Sequence, residues 1–438
     1  MQKISVIGLG KLGAPLLATI AERGFEVVGV DIADSTIEKI NKGEVPVEEP
    51  DLAKLLKKNR LRIKATKDYS EAIKNTDITL IIVPTPSKKN GTFTNRFVLD
   101  AVKNIAKVLK IKNKYHLVVV TSTVIPGSMD KEIVPVLEKV TGKKAGKDFG
   151  VCYNPEFIAL GSVIKNLLEP DLVLIGESDL RSGRILENFY HKLCINKPPI
   201  VRMNFVNAEI AKIALNSYIT TKISFANTLM QICEKIPGGN VDDVARALGF
   251  DSRIGAKYLK GGLPYGGPCF PRDNRAFNNF AKNLKVKSLL ARSSDKINNT
   301  LFKYLSSKIS SINPKGKIAI LGLSYKKDTD VVEESAGIKI ANSLAKKHKV
   351  IVWDPTAIEN AKKLLSPAIR VASSLKNCLS NVDIAVITIP WDEFGKIKPA
   401  YFKGNPKKTI LIDCWGIVDQ VKLQKVANIQ LLGQSYNE

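Results

Sequence analysis

Residues 3 to 31 read Lys3-Ile-Ser-Val-Ile-Gly8-Leu-Gly10-Lys-Leu-Gly13-Ala-Pro-Leu-Leu-Ala-Thr-Ile-Ala-Glu-Arg23-Gly-Phe-Glu26-Val-Val-Gly-Val30-Asp31. The run Lys3 to Ile7 is apolar and β-branched and predicts a strand. Ala14 to Arg23 has helical patterning, and Glu26 to Val30 is a second strand that ends on an acid. In that setting Gly-x-Gly-x-x-Gly has a mechanical meaning: Gly8 makes the turn, Gly10 admits a pyrophosphate, and Gly13 lets helix and sheet touch. The start of the helix adds amide donors and partial positive charge for phosphates. Asp31 is placed to accept hydrogen bonds from the adenosine ribose, and its carboxylate repels a 2′-phosphate. The expected cofactor is therefore NAD rather than NADP.

Strands are further predicted at Leu61 to Lys64, Thr79 to Val83, Leu117 to Thr121 and Leu172 to Ile175, with helical patterns between. This is an open parallel sheet, and such sheets bind ligands at the carboxyl ends of their strands. Two of those ends carry Val83-Pro-Thr-Pro86 and Thr121-Ser-Thr-Val-Ile-Pro-Gly127, where proline stops the strand and hydroxyls face the cleft; such hydroxyls also commonly cap a following helix. Glu156, in Val151-Cys-Tyr-Asn-Pro-Glu-Phe157, falls in a short loop after a strand, which suits an acid, a base or a surface cap.

Asn207 to Lys235 contains no Gly or Pro and repeats apolar residues at helical spacing through Ile210, Ile213, Ala214 and Ile223. A helix of that length spans roughly 40 Å, too long for one Rossmann layer, so it should bridge two domains. Lys212 and Asn216, four apart, share one of its faces. A second α/β unit follows, with strands at Lys317 to Leu323, Val350 to Asp354, Ile384 to Ile389 and Thr409 to Asp413. Its first strand leads into Gly322-Leu-Ser-Tyr-Lys-Lys-Asp-Thr-Asp330, a nucleotide loop of a different type that lacks the three-glycine fingerprint. Residues 433 to 438 are expected to fray. The fold class is thus α/β: two Rossmann-like, doubly wound parallel-sheet domains joined by a long central helix and a helical middle domain. The expected boundaries are 1–200 for cofactor binding, 201–300 for the middle domain and 301–438 for the second sheet.

Gly261-Gly-Leu-Pro-Tyr-Gly-Gly-Pro-Cys-Phe-Pro-Arg-Asp273 holds four glycines and three prolines. That composition forbids a helix interior or a central strand and puts Cys269 on a defined loop. Asp273, four residues on, is available to position a water or a proton. A buried structural thiol is the competing reading.

Net charge is +25 over 438 residues, but the lysines come as scattered pairs such as Lys57-Lys58 and Lys346-Lys347. This pattern fits solvated faces and attraction for nucleotides, and no nucleic-acid or membrane partner is expected. Six cysteines without Cys-x-x-Cys spacing and three histidines argue against a metal site. The opening residues Met1-Gln-Lys-Ile-Ser carry no signal-peptide pattern, so a cytoplasmic location is expected.

Gly8-x-Gly10-x-x-Gly13, Val83-Pro-Thr-Pro86, Ser122-Thr-Val124, Asn154-Pro-Glu-Phe157, Lys212-x-x-x-Asn216, Asp251-Ser-Arg-Ile-Gly255, Gly266-Gly-Pro-Cys269-Phe-Pro-Arg-Asp273 and Tyr325-Lys-Lys-Asp-Thr-Asp330 together resemble the UDP-glucose/GDP-mannose dehydrogenase family, from residue 2 to about residue 420. The resemblance implies oxidation of a nucleotide sugar's 6-hydroxymethyl group to a carboxylate with two NAD per turnover, as in polysaccharide biosynthesis. UDP-glucose is the expected sugar; UDP-N-acetylmannosamine, UDP-N-acetylglucosamine and GDP-mannose are the alternatives. It implies Cys269 as nucleophile, Lys212 and Asn216 as oxyanion donors, Asp273 with Thr123 and a water in proton transfer, and Glu156 in thioester hydrolysis. Leu12, Pro84, Thr85 and Thr123 would join Gly8, Gly10, Gly13 and Asp31 around NAD. Glu156, Phe157, Lys212, Asn216, Tyr265, Gly266 and Lys326 would contact the substrate, and Arg253 would reach the substrate of a second subunit in a homodimer packed along the long helix. The chain departs from the family pattern at Glu333 and at Cys414-Trp-Gly416, where arginines are usual, and at Leu160, where an acid is common. Those departures leave a second class open, a nucleotide-binding regulator without catalysis.

Overall fold

The computed structural model describes residues 3–88, 90–405 and 407–435. The chain separates into two compact units, Met1–Ala214 and Leu215–Glu438. The first is built on β1 (Lys3–Ile7), β2 (Glu26–Val30), β3 (Ile63–Thr66), β4 (Ile78–Ile81), β5 (Leu117–Val120), β6 (Gly150–Tyr153), β7 (Val173–Glu177) and β8 (Ile200–Met203). They lie in the order β3-β2-β1-β4-β5-β6-β7-β8. Every residue of β4 and β5 is buried, as expected of parallel strands covered on both faces. Alternate residues feed two cores: Leu117 and Val119 pack with Ile4 and Val6 on one face, Val118 and Val120 with Ile7 and Ile81 on the other. Each such side chain contributes about 1.5–3 kcal/mol by leaving water.

The second unit carries β9 (Ile318–Leu321), β10 (Val350–Trp353), β11 (Arg370–Val371), β12 (Ile384–Ile387), β13 (Thr409–Asp413) and β14 (Ala427–Leu431), in the order β11-β10-β9-β12-β13-β14. All its pairings are parallel. Before that sheet come helices Val241–Phe250, Phe270–Asn283 and Leu289–Ile312. The long helix runs Phe205–Cys233, 29 residues, and crosses from the first unit into the second.

Several expectations need correction. The third strand begins two residues later than its apolar start suggests, because Leu61 belongs to a 3-10 turn and is fully exposed. The first sheet is not wholly parallel: β6 and β7 pair antiparallel, Cys152 opposite Glu177. Edge strands β8, β11 and β14 are short or polar and have no clear apolar signature. The segment ending in Asp273 is not all loop, since the helix starts at Phe270 and takes Pro271 in its first turn, where a missing N–H is harmless. Gly433 and Ser435 are tied down rather than frayed: Gly433 N donates to Glu234 Oε1 (2.9 Å) and Ser435 N to the Gly239 carbonyl (3.0 Å). The remainder of that tail, 436–438, lies outside the described residues.

Candidate active site

In the first unit the glycine loop has the geometry its sequence requires. Gly8 has φ +93°, and a Cβ there would come within 2.6 Å of the Ile82 carbonyl oxygen. A Cβ on Gly13 would stand 1.8 Å from the Gly8 oxygen, so helix Gly13–Glu22 can approach only without it. At Gly10 a Cβ would meet nothing within 4 Å, which leaves that side open for a phosphate. Leu12 packs half-buried against the core beneath the loop. Asp31 is half-exposed; its Oδ2 accepts from Leu9 N (2.7 Å) and its Oδ1 from Ala33 N (2.9 Å). These bonds hold the carboxylate at the loop with acceptor capacity to spare. Next to it Ile32 is 88% exposed, an apolar platform that the sequence reading missed.

The neighbouring strand ends are cross-linked. Ser122 Oγ accepts from Val83 N (2.9 Å) and donates to the Val83 carbonyl (2.7 Å), and Thr85 Oγ1 donates to the Thr123 carbonyl (2.7 Å). Thr85 is buried, Pro84 exposed and Thr123 half-buried. After β6, Tyr190 OH bonds Asn154 Oδ1 and donates to Glu156 Oε1 (2.9 Å). Lack of water around the Glu156 carboxyl raises its pKa to about 7, only partly offset by Tyr190 and the Lys212 charge. Lys212 is 7% exposed; its ammonium donates to the Glu156 carbonyl (2.6 Å) and lies 4.6 Å from the centre of the Phe157 ring. Glu156, Phe157 and Lys212 are therefore one cluster.

In the second unit Cys269 is exposed at the N-terminus of helix Phe270–Asn283, the end at which backbone dipoles favour negative charge. One turn along the helix, Asp273 is fully buried, with Asn216 Nδ2 donating to its Oδ2 (2.7 Å) and Arg272 Nε to its Oδ1 (3.0 Å). The loop before Cys269 is pinned along its length. Asn227 Oδ1 accepts from Gly262 N (2.8 Å), Asn298 Oδ1 from Tyr265 N (2.8 Å), and Tyr265 OH donates to Asp295 (3.0 Å). At Gly267, φ is +84° and a Cβ would strike the Tyr325 ring at 2.5 Å; at Gly266 it would meet the Glu334 carbonyl at 2.4 Å. Gly267 N donates to the Glu333 carbonyl (2.9 Å), so Glu333 acts here through its backbone while its side chain is exposed. The loop Leu323–Ser335 is thus the wall on which the cysteine loop is built.

Cys269, Asn216 and Asp273 form one group in this unit, and Tyr265 and Gly266 line the same loop. Lys326 is half-buried in the wall, its carbonyl accepting from Ser324 Oγ (2.8 Å). Arg253 is exposed and bidentate to Asp251 through Nε (2.9 Å) and Nη2 (2.6 Å). Sequence reading missed Asn227, Asn298 and Arg272. The first two bond across separations of about thirty residues, for which no local pattern exists; Arg272 stood beside Asp273 in the motif and was legible there. Among the described residues no group of acids, histidines and cysteines is arranged to hold a metal.

Comparison with known proteins gives a consistent result. Models of the UDP-glucose/GDP-mannose dehydrogenase family match residues 2–194 (NAD binding domain), 206–300 (central domain) and 319–420 (UDP binding domain). A GDP-mannose 6-dehydrogenase of Pseudomonas syringae pv. tomato is 38% identical over 349 residues, 78% of each chain. A UDP-glucose 6-dehydrogenase of Rickettsia typhi is 35% identical over 432 residues, 97% of each chain. Among solved structures, a UDP-glucose dehydrogenase from the hyperthermophilic archaeon Pyrobaculum islandicum superposes with a TM-score of 0.89 at 29% identity, covering 100% of this chain and 98% of that one.

Proposed function

The chain belongs to the UDP-glucose/GDP-mannose dehydrogenase family, and on that premise we propose that it oxidises the C6 hydroxymethyl group of UDP-glucose to the carboxylate of UDP-glucuronate. The observation that carries this reading is the exposed thiol of Cys269 at a helix N-terminus, with Asp273 held by Asn216 in the turn beneath it. A nucleotide-binding regulator has no use for that arrangement.

Gly8, Gly10, Gly13 and Asp31 would hold NAD, which when bound would supply hydride acceptance, once for each oxidation. The first oxidation removes a hydride from C6 and a proton from its hydroxyl, leaving an aldehyde. The Cys269 thiolate then adds to C6, and the carbonyl oxygen becomes an oxyanion that the Lys212 ammonium and the Asn216 amide are suited to stabilise. Loss of the second hydride leaves a thioester on Cys269. Water then attacks C6, the C–S bond breaks, and the thiolate departs. Glu156 takes the proton of that water; Thr123 and Asp273 hold the water or relay protons. The remaining substrate contacts would come from Phe157, Tyr265, Gly266 and Lys326.

UDP-glucose is supported by the Asn154-Pro-Glu-Phe157 segment and by a UDP-glucose 6-dehydrogenase relative matched over 97% of both chains. A GDP-mannose substrate is the second reading, favoured by the 38% identity to a GDP-mannose 6-dehydrogenase. Incubation with NAD and each of UDP-glucose, GDP-mannose, UDP-N-acetylmannosamine and UDP-N-acetylglucosamine, followed by the absorbance of reduced nicotinamide, decides between them. Two NADH per UDP-glucose is the expected stoichiometry; no turnover with any of the four would leave only the regulator.

A homodimer is part of the same proposal. On the long helix Tyr218, Phe225 and Ile232 repeat every seven residues and are 66%, 52% and 48% exposed, and Phe250, Ile254 and Tyr258 around Arg253 are exposed as well. Exposed apolar side chains of this kind support an association surface, and in the proposed dimer Arg253 would reach the substrate of the partner. Among the described residues no helix is long and apolar enough to cross a membrane. The proposed cytoplasmic location rests on cysteines that form no disulfide.

A further inference from the structure

Glu209, on the first turns of the long helix, is fully buried. Among the described residues it has no cationic partner. A carboxylate in that position is costly unless hydrogen bonds replace its water. Here they come from backbone: Gly127 N donates to Oε2 (2.6 Å) and Met129 N to Oε1 (2.8 Å). Burial, only partly countered by these amides, raises its pKa to about 7. The amides belong to the loop that leaves β5 through Thr123 and enters a π-helical turn, Met129–Ile133, a rare geometry that frequently occurs at functional sites. Glu209 stands three residues before Lys212 and seven before Asn216, so all three lie along one stripe of the helix. One helical turn therefore grips the Thr123 loop through Glu209 and the Glu156 backbone through Lys212.

We propose that Glu209 is a positioning residue of the oxidation, which holds the loop bearing Thr123 in register with the helix turn bearing Lys212 by accepting the Gly127 and Met129 amides. The inference rests on the roles given above to Thr123 and Lys212. A packing role would leave the isosteric Glu209→Gln nearly intact and make the shorter Glu209→Asp the damaging change. The clamp requires the reverse order. Glutamine keeps one acceptor oxygen and turns an NH2 toward an amide N–H, whereas aspartate keeps both acceptors on a shorter arm.

The test is steady-state kinetics of both variants in the full-length protein, with hydrogen exchange of the 124–129 amides and thermal melting on the same samples. Glu209→Gln is expected to lower kcat by roughly 10- to 100-fold, as misplacement of a reacting group does, with the nucleotide-sugar KM within about twofold of wild type and faster exchange at Gly127 and Met129. Glu209→Asp should retain more kcat than Glu209→Gln. A kcat order that follows side-chain volume, or an undiminished kcat in Glu209→Gln despite exposed amides, overturns the proposal. Wild-type protein that protects these amides yet turns over no sugar nucleotide would instead overturn the reaction on which it rests.

Discussion

The two sheets share a frame and differ in what stands at its centre. Both have the inner order third, second, first, fourth, fifth, sixth strand, and in both the second strand is followed at once by an aspartate that accepts from the loop after the first: Leu9 N to Asp31 and Leu323 N to Asp354, each at 2.7 Å. In the first sheet Gly8 leads to Gly13 and at once into the helix, and Asp31 remains half-exposed. In the second, Gly322 is followed by the whole of Leu323–Ser335 before the helix begins at Ala336. Asp354 there is 1% exposed and also takes the amides of Ser324, Thr356 and Ala357 and the Trp391 indole. One aspartate is left able to bind a ribose; the other is consumed in holding a wall for the cysteine loop. A common fold thus carries different chemistry according to which strand-end groups are satisfied internally.

The sharpest way to break this contrast is to make the same change twice. Asp354→Asn places an amide among donors that need a carboxylate and should cost about 3 kcal/mol of stability, read as a lower melting temperature, with the KM for NAD unchanged in the folded fraction. Asp31→Asn should melt close to wild type and instead raise the KM for NAD roughly 10- to 100-fold, the worth of a hydrogen bond to a charged group. Equal effects from the two would erase the distinction. Next in size is Gly10→Ala. Its methyl meets no protein atom, so melting should not move, while the KM for NAD rises at least roughly tenfold as the methyl fills the space left for phosphate. Unchanged NAD affinity would show that the open side is not the phosphate site.

The smallest effect is in pH. With the Glu156 carboxyl raised to about 7, its basic form grows as pH rises through 7, and release of the carboxylate product should climb over the same range. Its contribution to folding has the opposite sign: the folded state holds the proton more tightly, so that stability is fully present below about 4.5, the ordinary carboxyl value, and is lost as pH rises through 7. A Glu156→Gln enzyme should lose the climb in product release; if the climb persists, another group is the base.

The first sheet and its cofactor were legible because Gly8, Gly10, Gly13 and Asp31 act within thirty residues of one another and each has a single steric or electrostatic purpose. The proposed catalytic set came from resemblance, since Cys269 and Asp273 fall within one short motif and Lys212 and Asn216 one turn apart. What joins those parts was not. Glu209 reaches Gly127 and Met129 across about eighty residues, and nothing local to Asp354 signals the burial that distinguishes it from the half-exposed Asp31. Edge strands β11 and β14 escaped because two residues, or an Ala-Asn-Ile-Gln-Leu alternation, carry little apolar signal.

The covalent step proposed at Cys269 can be tested directly. Glu156→Gln should slow hydrolysis and let the thioester accumulate, so acid-quenched protein, digested and weighed by mass spectrometry, should carry the sugar nucleotide on the peptide containing Cys269 only when NAD is also present. Absence of that adduct, together with a Cys269→Ser enzyme that still forms the carboxylate at the wild-type rate, would contradict the account.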